Sequence, residues 1–220
     1  MVHRTRIKIC GLTRAEDVRA AVIAGADGLG FVFYPASPRY IKPAAAAKLI
    51  AQVPPFVMTV GLFVNASLDE VVSAVTKAPV SLLQFHGDET PEQCSAIARV
   101  VNRPFIRAAR VQAGTTGRDL LQCEQDYRAA SELFSGLLLD THVDSYGGAG
   151  KVFDWSLIPE ELAPRAVLSG GLSAQNAADA VMRVRPFAVD ISSGVEQAKG
   201  IKDVGKMRAF ISAVRTTDTV

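Results

Sequence analysis

The chain has little of what marks secreted, membrane-spanning or nucleic-acid-binding proteins. It contains three cysteines, which cannot all pair and whose spacing matches no zinc motif, so we expect a reducing, cytoplasmic location. No apolar run approaches the roughly 18 residues of a membrane-spanning helix, and no apolar signal segment is recognisable at the start. The net charge is only +2 and the basic residues are scattered. This argues against nucleic acid or a membrane as a partner.

What the chain does have is a regular alternation of two kinds of segment. Its composition, 49% hydrophobic and 21% charged, is that of a globular protein with a sizeable core. Eight short apolar runs are each followed by a segment with helical spacing, although the sixth helix, around residues 155–162, looks short. The eight predicted strands cover residues 6–10, 28–33, 56–63, 81–86, 104–110, 136–140, 166–169 and 187–190.

Strand–helix–strand alternation predicts parallel strands joined by crossover helices. Eight such units in 220 residues match a closed (β/α)8 barrel, the TIM barrel. The alternative is an open doubly wound sheet, which requires a G-x-G-x-x-G turn after its first strand. The turn here reads Cys10-Gly11-Leu12-Thr13-Arg14 and lacks that pattern. We therefore predict an α/β protein with one (β/α)8 barrel domain over residues 1–220.

Three predicted helices begin with a capping box, in which a hydroxyl residue and a Glu or Gln three positions later satisfy free backbone N–H groups. Gly25 is the predicted end of the first helix, because glycine readily adopts the left-handed backbone that stops a helix. The three boxes are Thr13 with Glu16, Ser67 with Glu70, and Thr90 with Gln93.

Cys10 and Asp140 end the first and sixth predicted strands. Strand alternation points Cys10 and Lys8 into the barrel, and we expect the ammonium to lower the pKa of the thiol from about 8.5. Burial at the strand end favours the protonated form of Asp140. The alternatives are an inert buried cysteine and a helix-capping or salt-bridged aspartate. Together the two side chains predict a catalytic acid and base that face one pocket.

Several other side chains fall at the same end of the predicted barrel. Asp190 ends the eighth strand and is either a rival acid or a support for Lys8 or for a phosphate loop. Gln84 and His86 share one face of the fourth strand and are expected to line the pocket, with His86 in a structural role. Arg39 follows the second strand, where it either binds a substrate carboxylate with its forked guanidinium or is a solvated loop residue.

Glycine-rich turns follow the seventh and eighth strands, where barrels often bind phosphate through backbone N–H groups. These turns contain Gly170 and Gly171 in the first case and Ser193 and Gly194 in the second. A third glycine-rich run, at residues 147–151, is not a P-loop, because the motif requires glycine at Ser145 and a hydroxyl at Val152. It is either a loop that closes over ligand, with Gly148 in contact with it, or a flexible surface loop.

Eight ordered motifs, from the first strand to the last helix, closely resemble phosphoribosylanthranilate isomerase, a barrel enzyme of tryptophan biosynthesis. Only Phe85 departs from the family pattern, in a place where leucine is commoner. The motifs are KICGLT (8–13), GADGLGFVF (25–33), SPR (37–39), LQFHGDE (83–89), LLDT (138–141), GGAGKVFDW (147–155), LSGGL (168–172) and VDISSGVE (189–196).

This resemblance implies an Amadori rearrangement of N-(5-phosphoribosyl)anthranilate, a small phosphosugar, to 1-(2-carboxyphenylamino)-1-deoxyribulose 5-phosphate. Asp140 is then the general acid on the furanose oxygen and Cys10 the general base at C2, while Arg39 binds the anthranilate carboxylate. Proton transfer alone requires neither metal nor cofactor, and a monomer or a homodimer is expected. The remaining substrate-binding positions are Gly148, Gly170, Gly171, Asp190, Ser193 and Gly194.

Two other functions are compatible with a barrel that binds phosphosugars. A pentose-phosphate epimerase shares the phosphate loops but uses histidines and carboxylates at strand ends to bind a metal, and the three scattered histidines here fit that poorly. A non-catalytic phosphosugar sensor needs neither Cys10 nor Asp140. The presence of both residues therefore favours the isomerase.

Overall fold

Eight parallel strands close into a barrel in which each strand pairs with its neighbours in the sequence and the eighth pairs with the first. The structure, a computed structural model, describes residues 4–141 and 153–218. This confirms the predicted (β/α)8 architecture. The barrel strands are β1 (Arg6–Ile9), β2 (Gly28–Val32), β3 (Met58–Phe63), β4 (Leu82–Phe85), β5 (Phe105–Val111), β6 (Phe134–Thr141), β7 (Val167–Leu168) and β8 (Ala188–Ile191).

Helices follow the strands and surround the barrel. In the described part of the sixth unit, residues 153–166, the helical structure consists of two short 3-10 segments, Trp155–Leu157 and Ala163–Arg165, in line with the short helix that the sequence predicts. Within the described ranges the α-helices are α1 (Ala15–Ala24), α2 (Pro43–Ile50), α3 (Leu68–Lys77), α4 (Pro91–Val101), α5 (Gly117–Ala130), α6 (Ala177–Val184) and α7 (Val204–Arg215). None of them is long and apolar enough to cross a membrane.

The core has two parts, because parallel strands are buried on both faces. The larger part lies between the strands and the helices, and it includes a row of phenylalanines, from Phe33 to Phe134, whose neighbouring rings lie 5.4 to 6.5 Å apart. The smaller part fills the barrel interior with five apolar side chains, so the barrel is packed and not a pore. These five are Val60, Leu82, Ile106, Ala108 and Leu138.

Two of the three predicted capping boxes are present, at Ser67 and Thr90. The box at Thr13 is wrong, because α1 is capped at Arg14 without a side-chain hydrogen bond, and the Thr13 hydroxyl donates to the Gly200 carbonyl instead. Gly25 ends α1 in the left-handed conformation, as predicted, with φ of 97°.

The segment between β8 and α7 holds an element that the strand prediction missed. Two short antiparallel strands, β9 (Glu196–Ala198) and β10 (Ile201–Lys202), form a hairpin beside the end of the barrel. Their sequence has no run of apolar residues, so it carries no strand signal. Gly200 lies in the turn between β9 and β10, and its carbonyl accepts a hydrogen bond from the Thr13 hydroxyl. This bond holds the hairpin next to the loop after β1.

Candidate active site

One pocket opens at the carboxyl ends of the barrel strands, where barrel enzymes place their active sites. Seven loops or strand ends contribute to its wall, and it contains every predicted site residue that the structure describes. Gly148 lies outside the described residues. The predicted residues on the wall are Cys10, Arg39, Asp140, Gly170, Gly171, Asp190, Ser193 and Gly194, and Gln84 and His86 join them.

Cys10 follows the last residue of β1 and is buried. Burial raises the pKa of the Cys10 thiol, and the nearby Lys8 ammonium lowers it by less. The expected lowering of the pKa is therefore wrong, because desolvation of the thiolate outweighs the effect of a lysine whose charge is shared with Asp190. Gly30 on β2 makes room for the thiol, since a Cβ there would lie 2.7 Å from Cys10 Sγ.

Lys8 and Asp190 form a buried ion pair inside the barrel, with Lys8 Nζ 2.7 Å from Asp190 Oδ1. Although burial opposes it, the Asp190 carboxylate raises the pKa of Lys8. The second oxygen of Asp190 accepts from the Ser169 hydroxyl at 3.2 Å. Both oxygens of Asp190 therefore have partners, which is the arrangement of a supporting counter-ion.

Asp140 lies near the end of β6 on the opposite side of the barrel from β1 and β2. Its Oδ2 atom is 3.1 Å from His86 Nε2, and His86 Nδ1 is in turn 2.9 Å from Gln84 Nε2. The side chain is 14% exposed, on the pocket side. A carboxyl group held by one oxygen and open on a pocket is suited to exchange a proton with a ligand.

Arg39 is not a solvated loop residue, because its guanidinium forms a bidentate pair with Glu196 on β9. The distances are 2.7 Å from Nε to Oε1 and 2.8 Å from Nη2 to Oε2. Lys202 Nζ lies 2.9 Å from the same Oε1 atom. Burial alone would raise the pKa of Glu196, but Arg39 and Lys202 lower it below its ordinary value, so Glu196 is an anion between two cations.

Arg39 passes close to the backbone of Gly11, where a Cβ would lie 2.6 Å from Arg39 Cδ. Glu196 and Lys202, which pair with each other and hold Arg39 beside the pocket, are residues that the sequence reasoning did not single out. Glu196 stood inside one of the quoted motifs, whereas Lys202 had no signal. The ion pairs of Glu196 with Arg39 and with Lys202 both depend on the hairpin, because Glu196 lies on β9 and Lys202 on β10.

The glycine turns after β7 and β8 pack directly against each other. Gly170 and Gly171 have φ of 82° and 65°, a conformation that glycine adopts without strain. A Cβ on Gly170 would lie 2.8 Å from Asp140 Oδ1, and one on Gly194 would overlap the Leu172 carbonyl. Lys202 Nζ donates to the Ser192 carbonyl at 3.0 Å. The two turns thus present backbone to the pocket at close quarters, as phosphate binding requires.

A closed parallel barrel with titratable side chains and glycine turns around one pocket defines the class of (β/α)8-barrel enzymes. Among residues 4–141 and 153–218, no group of three or more His, Cys, Asp or Glu side chains is arranged to hold a metal ion.

Comparison with known proteins narrows this class to one family. A family model described as N-(5'phosphoribosyl)anthranilate (PRA) isomerase matches residues 7–213. The chain is 70% identical over 218 residues to the N-(5'-phosphoribosyl)anthranilate isomerase of Herminiimonas arsenicoxydans, covering 99% of this chain and 96% of the relative. It is 55% identical to that of Ralstonia nicotianae, over 99% and 95% of the two chains. The chain belongs to the phosphoribosylanthranilate isomerase family.

Solved structures agree with this assignment. The crystal structure of phosphoribosyl anthranilate isomerase from Thermotoga maritima has a TM-score of 0.84 and 42% identity, covering 96% of this chain and 99% of that one. A second structure of such an isomerase, in complex with reduced 1-(o-carboxyphenylamino)-1-deoxyribulose 5-phosphate, has a TM-score of 0.82 and 39% identity, with the same coverage.

The space beside Cys10 leads to a prediction about β2. Gly30→Ala should lower kcat by ~100-fold or more, because the added methyl displaces the thiol from its position. Gly28→Ala is the matched control on the same face of the same strand, where a Cβ would lie 3.6 Å from its nearest neighbour. We expect Gly28→Ala to keep near-normal kcat. Steady-state kinetics with circular dichroism tests this, and equal activity of the two variants would contradict it.

Proposed function

We propose that this chain isomerises N-(5'-phosphoribosyl)anthranilate to 1-(2-carboxyphenylamino)-1-deoxyribulose 5-phosphate, a step of tryptophan biosynthesis, by general acid/base catalysis. The observation that carries the mechanism is that one thiol and one carboxyl group, Cys10 and Asp140, open onto the same pocket. The reaction consists of a ring opening and a shift of hydrogen from carbon, so it requires one acid and one base.

Asp140 is the acid in this proposal. Its proton goes to the furanose ring oxygen as the C1–O bond breaks, and the lone pair of the anthranilate nitrogen forms a C=N bond, which leaves a cationic iminium. Asp140 becomes a carboxylate. Asp190 is unsuited to this role, because Lys8 and Ser169 already bind its two oxygens.

Cys10 is the base, and it removes the C2 proton of the iminium. The electron pair of the C–H bond moves to neutralise the iminium nitrogen, and the resulting enolamine tautomerises to the ketone. Burial raises the pKa of the Cys10 thiol. A cationic substrate beside it favours the thiolate, so we expect the base to be generated mainly when the iminium is present.

The remaining predicted residues bind the substrate in this proposal. Arg39 binds the anthranilate carboxylate through Nη1, which is not part of its pair with Glu196. The turns that contain Gly170, Gly171, Ser193 and Gly194 hold the phosphate. Asp190 supports Lys8. Gly148, outside the described residues, contacts the bound ligand.

We also infer the setting in which the protein works. Residues 1–220 form one domain, the ligand is a small phosphosugar, and nucleic acid and membranes are not partners. A cytoplasmic location agrees with three free cysteines. One related structure concerns monomers generated from the dimeric isomerase of Thermotoga maritima, and we infer a monomer or a homodimer for this chain.

The test of the reaction is an assay with phosphoribosylanthranilate generated in situ, followed by the loss of anthranilate-type fluorescence. We expect turnover, and we expect it to survive dialysis against a strong chelator because each step is a proton transfer within the pocket. An activity that is lost on dialysis and restored by a divalent ion would instead favour the metal-dependent epimerase.

The base is tested by Cys10→Ser. An alcohol is a far weaker base than a thiol near neutral pH, so kcat should fall by ~100-fold or more. Binding of the reduced product analogue should change little, since the hydroxyl occupies nearly the same space. Titration of the analogue and steady-state kinetics measure the two effects. A variant with near-normal kcat would refute Cys10 as the base.

The acid is tested by comparing Asp140→Asn with Asp190→Asn on one substrate preparation. Asp140→Asn should lower kcat severely with little change in KM, because the amide cannot deliver the proton. Asp190→Asn should mainly raise KM or lower the melting temperature, because it leaves the buried Lys8 ammonium without its counter-ion. If Asp140→Asn resembles the wild type and Asp190→Asn is inactive, the acid has been assigned to the wrong residue.

A further inference from the structure

His86 links Gln84 to the carboxyl group of Asp140. Its Nδ1 atom contacts Gln84 and its Nε2 atom contacts Asp140, both within hydrogen-bond distance. We propose that His86 is a positioning residue for the general acid, donating from Nε2 to Asp140 Oδ2 and so directing the acidic proton to Oδ1. This inference rests on the proposed function, which supplies the role of Asp140 as an acid.

The backbone around His86 is held from outside the barrel. Arg107 on β5 donates from Nη1 to the Phe85 carbonyl at 3.1 Å and from Nη2 to the Gly87 carbonyl at 2.9 Å, so it binds the residues on both sides of His86. Glu89 accepts from the Gly87 N–H at 2.9 Å. Arg107 and Glu89 are themselves buried. The backbone before and after His86 is therefore fixed by buried charged side chains.

The ring of His86 is held from inside the barrel by Gln84, which is fully buried. Gln84 Nε2 lies 2.9 Å from His86 Nδ1. We assign the Gln84 amide so that its N–H donates to Nδ1, which puts the single proton of the neutral ring on Nε2. In this orientation Gln84 Oε1 is buried without a partner among the described residues. The Nε2 proton points at Asp140 Oδ2, 3.1 Å away.

This tautomer suits both states of the acid. In the protonated state Oδ2 is the carbonyl-type oxygen and accepts from His86, so the proton resides on Oδ1, beside Gly170 and the pocket. After transfer to the ring oxygen of the substrate, Asp140 is a carboxylate, and the same N–H stabilises its new charge. The opposite tautomer would then set a nitrogen lone pair against a carboxylate lone pair.

Two cations described near this end of the barrel have carboxylate partners. Arg110, the register neighbour of Asp140 on β5, pairs with Asp88, and Lys8 pairs with Asp190. Within residues 4–141 and 153–218, His86 lies within hydrogen-bond distance of the Asp140 carboxyl group and is suited to set its position. This extends the sequence-based interpretation of His86, which assigned it a structural role.

Two variants, His86→Gln and His86→Asn, both carry an amide but differ in length by one methylene. Comparing them shows whether activity depends on the position of the N–H donor or only on a side chain that fills the space. In His86→Gln the side-chain Nε2 reaches the place of the histidine Nε2 and still donates to Asp140. In His86→Asn the donor is one bond too short. We expect His86→Asn to lower kcat by ~10- to 100-fold, the effect of losing a hydrogen bond to a charged group, while KM changes little.

His86→Gln should keep kcat within ~5-fold of the wild type. The alkaline limb of kcat against pH should move to higher pH in His86→Asn and not in His86→Gln, because loss of the donor disfavours the carboxylate. A role in folding alone would change the melting temperature without moving this limb. Binding of the reduced product analogue serves as the control for an intact pocket.

Two results would overturn the proposal. In one, both variants fold and bind the analogue but lose activity equally; in the other, both variants keep normal kcat.

A second measurement needs only the wild-type protein. The chain has three histidines, so the imidazole nitrogens of His86 can be assigned by 15N NMR, and we expect the proton on Nε2. A proton on Nδ1 would overturn the proposal. A wild-type protein inactive on phosphoribosylanthranilate would instead refute the proposed function.

Discussion

The buried ion pair between Lys8 and Asp190 is the interaction on which the pocket depends. The two residues are register partners on β1 and β8, the strands whose pairing closes the barrel. Each charge is too costly to bury alone, and removal of one partner from such a pair typically costs about 3–5 kcal/mol. Because the pair requires this register, it sets Cys10 at the end of β1 and the turn after β8 at the same height.

Glycine creates space for side chains at the carboxyl ends of the barrel strands. Gly30 leaves room for the Cys10 thiol, Gly11 for the stem of Arg39, and Gly170 for the Asp140 carboxyl. Protein interiors are packed at nearly the density of organic crystals, so a single methyl at such a position must displace a neighbour. The positions of Cys10, Arg39 and Asp140 therefore depend on the absence of a side chain at these glycines as well as on hydrogen bonds.

Charge is distributed around the pocket in a way that suits an anionic ligand. Arg39 and Lys202 share the one carboxylate of Glu196, so this group carries a net positive charge beside the glycine turns. Lys202 also donates to the Ser192 carbonyl, and the Ser192 hydroxyl donates to the Cys10 carbonyl at 3.1 Å. A single buried lysine thus connects the hairpin, the turn after β8 and the end of β1.

The local pattern of the chain determined the architecture. Strand and helix periods alternate eight times, and each period depends on residues close in sequence, so the barrel and the strand-end positions of Cys10, Asp140 and Asp190 could be predicted without coordinates. The capping boxes at Ser67 and Thr90 were predictable for the same reason, since both partners lie within one turn.

Tertiary structure decided whatever depends on residues far apart in the chain. Thr13 had the sequence of a helix cap, yet its hydroxyl is used by Gly200, 187 positions away. The thiol of Cys10 was expected to have a lowered pKa because Lys8 is two residues away, but burial, which only the closed barrel creates, raises that pKa instead. Arg39 and Glu196 are 157 positions apart. Desolvation and long-range pairing are properties of the closed fold, and no local pattern encodes them.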